Sequence, residues 1–328
     1  MSIGGGTGLS TVLKGLRRYA YDVPNSDLAP KADLTAIVTV TDDGGSSGRL
    51  RREFEILPPG DIRNCMAALA EDESLLKRLF DHRFISGRGL KGHSFGNLFL
   101  AALTQVTGDF AHAVRFSSEV LAIAGRIFPS TAANVTLRAR LADGSVVDGE
   151  TNISRSRAAI HRIELRPGRC KPLPETLEAL RQADLITFGP GSLYTSVIPN
   201  LLVEGIAGAI RRSSALKAAV VNLMWQPGET GGMSAADHLR ALAEHAGGRI
   251  ADYALVNTAP ITTPRRRRYA QQQALPVDID LAALHRLGLD VIGFDLLSKR
   301  GEKVRHDPDK IAAVLIQLAK KGRRLRLR

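Results

Sequence analysis

Apolar and polar positions recur along this chain in two rhythms. Leu9, Val12, Leu13 and Leu16 share one helix face and predict a helix over 9–19. The run Leu34 to Val40 is continuously apolar apart from two threonines, which predicts a strand buried on both faces. The polar, proline-containing stretch 22–33 predicts a loop. Residues 60–124 read as mostly helical, with one helix opening at Gly60-Asp61 and others over 75–84, 94–106 and 110–124. Between 134 and 166 the period becomes two. Residues 135–141 alternate, 142–145 form a turn, Val146-Val147 resume the strand and 160–165 alternate again. This predicts an antiparallel insertion with one wet face.

From residue 175 a βα rhythm returns. Helices are predicted at 175–183, near 199–211, at 235–246 and over about 308–320, with strands at 185–188, 218–224 and 253–256. Strands alternating with helices predict an α/β protein with a mainly parallel, doubly wound sheet. One domain over 1–320 would hold the antiparallel insertion, with a basic tail at 321–328. The first strand is short, because Met1-Ser2-Ile3 leads straight into glycines. A typical strand has about five or six residues, so translation is expected to start upstream of Met1.

Composition changes this picture little. An apolar share of 44% is ordinary for a globular chain. Cys65 and Cys170 give neither a disulfide framework nor metal-ligand spacing, which points to a reducing, cytoplasmic setting. No run reaches the length of a membrane span, so none is expected. The net charge of +12 is concentrated. Four charges belong to Arg265–Arg268 and six to the stretch 320–328, which leaves the rest nearly neutral. These runs read as a solvated loop and a frayed terminus. With 5% aromatic residues, stacking platforms are scarce and no specific nucleic-acid partner is expected.

The candidate chemistry lies in four glycine-bearing loops, each following a predicted strand and opening a helix. Such loops gather at the carboxyl ends of the strands, where helix starts favour anions. The first holds Gly5, Gly6, Thr7 and Gly8; it is neither a P-loop nor a dinucleotide fingerprint. In the second, Asp42 and Asp43 can bond ribose hydroxyls or hold Mg²⁺ with substrate phosphates. Gly44, Gly45, Ser46 and Gly48 let backbone approach a ligand, and Arg49 can reach phosphate. A capped helix start is the competing use of this loop. Asp61, Arg63 and Asn64 follow a rigid Pro-Pro turn and suggest a polar network for ligand or structure.

Gly92-His93-Ser94-Phe95-Gly96 matches a nucleophile elbow by letters but lacks the strand before it. Ser94 is therefore expected to cap a helix, and His93 and Asn97 to face a ligand or the cap. The third loop offers Gly189, Gly191, Ser192 and Tyr194, and the fourth Asn222, Gln226, Glu229 and Thr230. Asn257 ends the next strand. Neutral amides and hydroxyls dominate here, the profile of a sugar or base pocket rather than a metal cage. Arg305 is either a phosphate clamp or an ion-pair partner of Asp307.

Taken together, these loops resemble the gluconeogenesis factor family, the YvcK-type branch of the CofD-like proteins. The resemblance rests on residues 3–10, 40–50, 57–64, 92–98, 189–196 and 226–230, in family order. It implies a Rossmann-like CofD fold in a cytoplasmic protein that binds UDP-sugars, UDP-N-acetylglucosamine in particular. It further implies a regulator of cell envelope synthesis and cell shape under gluconeogenic growth. Such a regulator would act on a partner enzyme of amino-sugar or envelope metabolism, require no cofactor and be compatible with a homodimer. By the same resemblance Thr7, Asp42, Asp43, Asn64, Asn222 and Asn257 are pocket candidates, and Arg305 matches the family's C-terminal Arg-His motif. The alternative is the more distant CofD branch, which transfers a phospholactyl group to a deazaflavin using Mg²⁺. The Arg265–Arg268 and 320–328 runs lie outside the family pattern.

Overall fold

The computed structural model describes residues 1–20, 32–70, 75–156 and 158–327. Most of the loop predicted over 22–33 lies outside them. Strands β1 (Ser2–Gly4), β2 (Thr35–Val38) and β3 (Arg126–Pro129) form one half of the main sheet. The insertion contributes β4 (Thr136–Leu141), β5 (Val146–Asp148) and β6 (Ile160–Arg166). The other half of the main sheet is β7 (Leu185–Phe188), β8 (Leu216–Val220), β9 (Tyr253–Asn257) and β10 (Asp290–Phe294). The order is β10-β9-β8-β7-β1-β2-β3, and every pairing is parallel. The chain winds outward from β1 through β2 and β3, then returns to wind the other way from β7. The switch point therefore falls between β1 and β7, where open α/β sheets bind ligands.

Short as it is, β1 is central. Ile3 pairs with Ile37 on one side and Phe188 on the other, and all three are buried. Helices cover both faces, with Leu9, Leu13, Ile62, Met66 and Leu100 fully buried between layers. The first helix starts at Gly6, earlier than the apolar period predicts, because glycine and threonine begin it before the first leucine.

Two edge strands, β3 and β10, escape the sequence pattern. β3 mixes buried and exposed positions over only four residues, and β10 buries none of its five, so neither stands out as a core strand. The helix predicted near 199–211 is broken into Leu193–Val197, Ile198–Leu202 and Ile206–Arg212. Gly205, at φ +85°, supplies the left-handed turn before the last piece. The first two pieces together meet the third at an 80° bend. Among the described residues no single helix is long and apolar enough to cross a membrane.

Both arginine-rich runs are helical, contrary to expectation. Arg265–Arg268 sit in the helix Thr263–Ala270, where Arg265 donates to the carbonyls of Ser298 (3.1 Å) and Gly301 (2.6 Å). The last helix, Pro308–Arg326, runs well past residue 320. Arg326 meets Asp184 at 2.9 Å, and Lys321 Nζ donates to the Tyr253 hydroxyl at 2.7 Å. Residues 321–326 are therefore a docked helical end, not a frayed tail. Ser94 does cap Phe95–Thr107, accepting from the Asn97 amide at 3.4 Å.

The insertion is the predicted antiparallel unit, in the order β5-β4-β6. Leu137, Ala139, Ile163 and Leu165 turn inward, while the outer face carries the Arg138–Asp148 and Arg140–Glu164 pairs. A short helix, Glu150–Arg155, joins β5 to β6 and was not foreseen. It folds back over the carboxyl end of the main sheet.

Candidate functional site

The glycine loops after β1 and β7 meet at the switch point. The helix Gly6–Leu16 begins without a side-chain cap and carries no acid in its first turn. Its N-terminus is thus partially positive, and the Asp61 carboxyl already takes the Gly6 amide there. Gly8 packs directly on the third loop, because a Cβ there would stand 2.1 Å from the Pro190 carbonyl oxygen. No other residue allows these two loops to close together.

Asn222, just past β8, fastens the third loop to the fourth. Its Oδ1 accepts from the Gly191 amide at 3.1 Å, and its Nδ2 donates to the Gly191 carbonyl at 2.8 Å and to Gln226 Oε1 at 3.2 Å. Gln226 Nε2 in turn donates to Ser192 Oγ at 2.7 Å. The result is a cleft of about 320 Å³ walled by the first and third loops, Trp225, Tyr269, Lys303 and Arg305. A larger cavity of about 470 Å³ opens at the amino ends of β1, β2 and β7, on the far side of the sheet from every glycine loop. The loop chemistry belongs to the smaller cleft.

Carboxylates gather on the β2 side. Asp42 Oδ1 accepts from the Gly44 amide at 2.9 Å. Asp43 Oδ1 accepts from the Thr151 amide at 2.9 Å and hydroxyl at 2.6 Å, so the insertion is tied to the β2 loop. Glu229 Oε1 accepts from Thr195 Oγ1 at 3.1 Å and Ser154 Oγ at 3.3 Å. Its Oε2 is buried without a partner among the described residues. Asp61 lies under the first loop, and a Cβ on Gly5 would stand 2.5 Å from its Oδ2.

Crowding changes how these groups ionise. Burial first, and then the charge of Asp42, pushes Asp61 up to about 7. Burial, followed by Asp42, Asp61, Glu229 and Asp43, pushes Glu150 up to about 9. Burial also raises Asp42 and Glu229. At neutral pH, Glu150 is thus a neutral acid able to donate a hydrogen bond. Among the described residues no three His, Cys, Asp or Glu side chains converge as ligands of one metal ion. The bonds from Thr151 to Asp43 and from Thr195 and Ser154 to Glu229 use one carboxylate oxygen each.

Several predicted site residues serve the scaffold. Ser46 Oγ lies 2.8 Å from His93 Nδ1 and accepts from Asn97 Nδ2 at 3.1 Å, all three being buried. Burial, followed by the charge of Arg49, lowers the His93 pKa, and the trio pins the second loop to the helix Phe95–Thr107. Arg49 donates to the Lys91 carbonyl at 2.9 Å, and Asn64 takes a guanidinium bond from Arg63. Tyr194 is buried against His245, with its hydroxyl toward Met233. Thr230 Oγ1 accepts from the Gln226 amide at 3.0 Å. Asn257 Oδ1 accepts from the Leu296 amide at 3.0 Å and its Nδ2 donates to the Ala259 carbonyl at 2.8 Å.

The structure therefore brings Gly5, Gly6, Thr7, Gly8, Gly191, Ser192, Asn222, Gln226 and Arg305 to one cleft. Asp42, Asp43, Asp61 and Glu229 stand at its side. Glu150, Thr151, Tyr269 and Lys303 complete the surroundings, and sequence reasoning missed them. Tyr269 follows the arginine run directly, which was the available signal. Glu150 lies in the connection from β5 to β6, with nothing in the sequence to show that it folds inward.

Comparison with known proteins agrees with this geometry. A family model described as 2-phospho-L-lactate transferase CofD matches residues 1–297. The chain is 48% identical to the gluconeogenesis factor of Bacillus subtilis, over 97% of this chain and 96% of the relative. It is 50% identical to a putative gluconeogenesis factor of Nostoc, over 96% of this chain and 67% of that one. A crystal structure of a UPF0052-family protein from Bacillus halodurans superposes with a TM-score of 0.90 at 46% identity, covering 96% of this chain and 98% of that one.

Proposed function

The chain belongs to the CofD family, and from that premise we propose that it is a nucleotide-sugar-binding regulator, with UDP-N-acetylglucosamine as its ligand. The relatives named gluconeogenesis factors support a role in central carbon metabolism, and in this reading that role extends to envelope synthesis and cell shape. In this reading the protein works in the cytoplasm and passes the state of its ligand to a partner enzyme of amino-sugar or envelope metabolism.

One observation carries the reading. At the switch point, a helix start with no acid in its first turn, the third glycine loop held by Asn222, and Arg305 face one cleft, while Asp43 and Glu229 are bound to protein donors. The first set suits a diphosphate. The second holds the site's shape and offers acceptors to hydroxyl groups.

Calorimetry with UDP-N-acetylglucosamine, in Mg²⁺ and in EDTA, tests the proposal when followed by analysis of the recovered ligand. Saturable binding in both buffers with unchanged ligand is expected. Binding that needs Mg²⁺, or consumption of the nucleotide sugar, would instead support the transferase chemistry for which the family is named.

A further inference from the structure

Gly189 and Gly191 hold the third loop in left-handed backbone, at φ +68° and +154°, and bring no side chains to fasten it. The Asn222 side chain grips the Gly191 peptide. Between the loop and the helix Ala235–Ala246 lies a cavity of about 20 Å³. Gly189, Gly191 and Asn222 form part of its wall, and His238, Leu239 and Leu242 of the helix form another part.

His238 is the anomaly on that helix. Leu239 and Leu242 belong to its buried apolar stripe, and His238, only 4% exposed, sits among them. Its Nδ1 lies 2.8 Å from the Ser234 carbonyl oxygen. A carbonyl can only accept, so Nδ1 carries the hydrogen, and the neutral ring leaves a lone pair on Nε2. Burial favours that neutral ring, outweighing the Ser234 bond and the charge of Asp237. Nε2 is buried and has no partner among the described residues. A buried acceptor left unpaired is costly, and the neighbouring leucines cannot donate. The backbone N–H of Asn222 likewise has no protein acceptor among the described residues.

One small molecule suits both groups. Water needs about 10–15 Å³ of free space and two to four polar partners. The cavity offers the space, and its wall offers an acceptor and a donor. We propose that this cavity is the seat of a structural water, which donates to His238 Nε2 and accepts from the Asn222 N–H. Through it the helix Ala235–Ala246 supports the third glycine loop, which makes His238 a positioning residue. Such support does not depend on which ligand the cleft takes.

The wild type, His238→Gln and His238→Leu test this on the full chain. Glutamine carries an acceptor to about the position of Nε2, whereas leucine carries none. A crystal structure of the wild type should show a water within about 3.2 Å of Nε2. NMR should give a dipolar cross-peak between bound water and the Asn222 amide proton. Exchange of the Gly191 amide hydrogen should speed about 2- to 12-fold in His238→Leu, the net worth of one hydrogen bond. In His238→Gln it should stay near the wild-type rate. The wild-type measurements need no variant to fold: an Nε2 without water, or a ring protonated on Nε2, overturns the water site. Equal exchange in all three proteins, or equal acceleration in both variants, overturns the supporting role.

Discussion

At the scale of single residues, the site depends on a few groups whose state is set by neighbours. Asp61 is the clearest case. With its pKa raised to about 7, it is largely protonated below neutrality and ionised above it. It lies directly beneath the loop assigned to the diphosphate. As pH rises from about 6 to about 8, a negative charge develops under the anion and affinity should fall. Asp61→Asn should flatten that dependence, which calorimetry across the pH range would show. Asp42→Asn removes a carboxylate that holds the Gly44 turn, and should weaken binding by about 1–3 kcal/mol, the range for an unpaired buried polar group. The loss should be equal in EDTA and in Mg²⁺; a loss confined to Mg²⁺ would count against the metal-free reading. Residues at this scale were legible as loop members but not as partners. His93 and Asn97 stand one helical turn apart, but Ser46 is 47 residues before His93, and no spacing rule says that it joins their hydrogen-bond cluster.

At the scale of elements, strands buried on both faces and helices with one apolar stripe could be read directly. Leu185–Phe188 and Ala235–Ala246 fall where the pattern puts them. The edge strands β3 and β10 could not be, because half-exposed positions follow no period. The arginine-rich helix was hidden for a related reason: it buries none of its residues and is held by Arg265 and Arg268 gripping another loop. Ser94 belongs at this scale too. It caps the helix Phe95–Thr107 and is itself fully buried. Ser94→Ala should cost about 0.5–2 kcal/mol in denaturant unfolding. A serine-directed fluorophosphonate should leave the wild type unlabelled; stoichiometric labelling at Ser94 would overturn the capping role.

For the whole molecule, the acid cluster predicts how stability depends on pH. Glu150 has a folded-state pKa of about 9, well above the ordinary glutamate range. Between those values the native chain holds a proton that the unfolded chain has released. Stability from this group is therefore complete at low pH and is lost as pH rises through about 9. The melting temperature should decline between about pH 7 and pH 9, and Glu150→Gln should reduce the decline. An equal slope in the variant would show that Glu150 does not set it.

The short helix Glu150–Arg155 makes the site a joint product of two units with separate sheets. The parent sheet supplies the floor, through backbone loops that tolerate almost no substitution at Gly8. The insertion supplies one wall, through Thr151 and Ser154. Floor and wall can therefore diverge at different rates. A lineage could exchange the hairpin, and with it the group recognised beyond the diphosphate, while leaving the anion cradle untouched. Grafting residues 134–166 from a relative with another ligand should move selectivity between nucleotide sugars without abolishing affinity for the shared diphosphate.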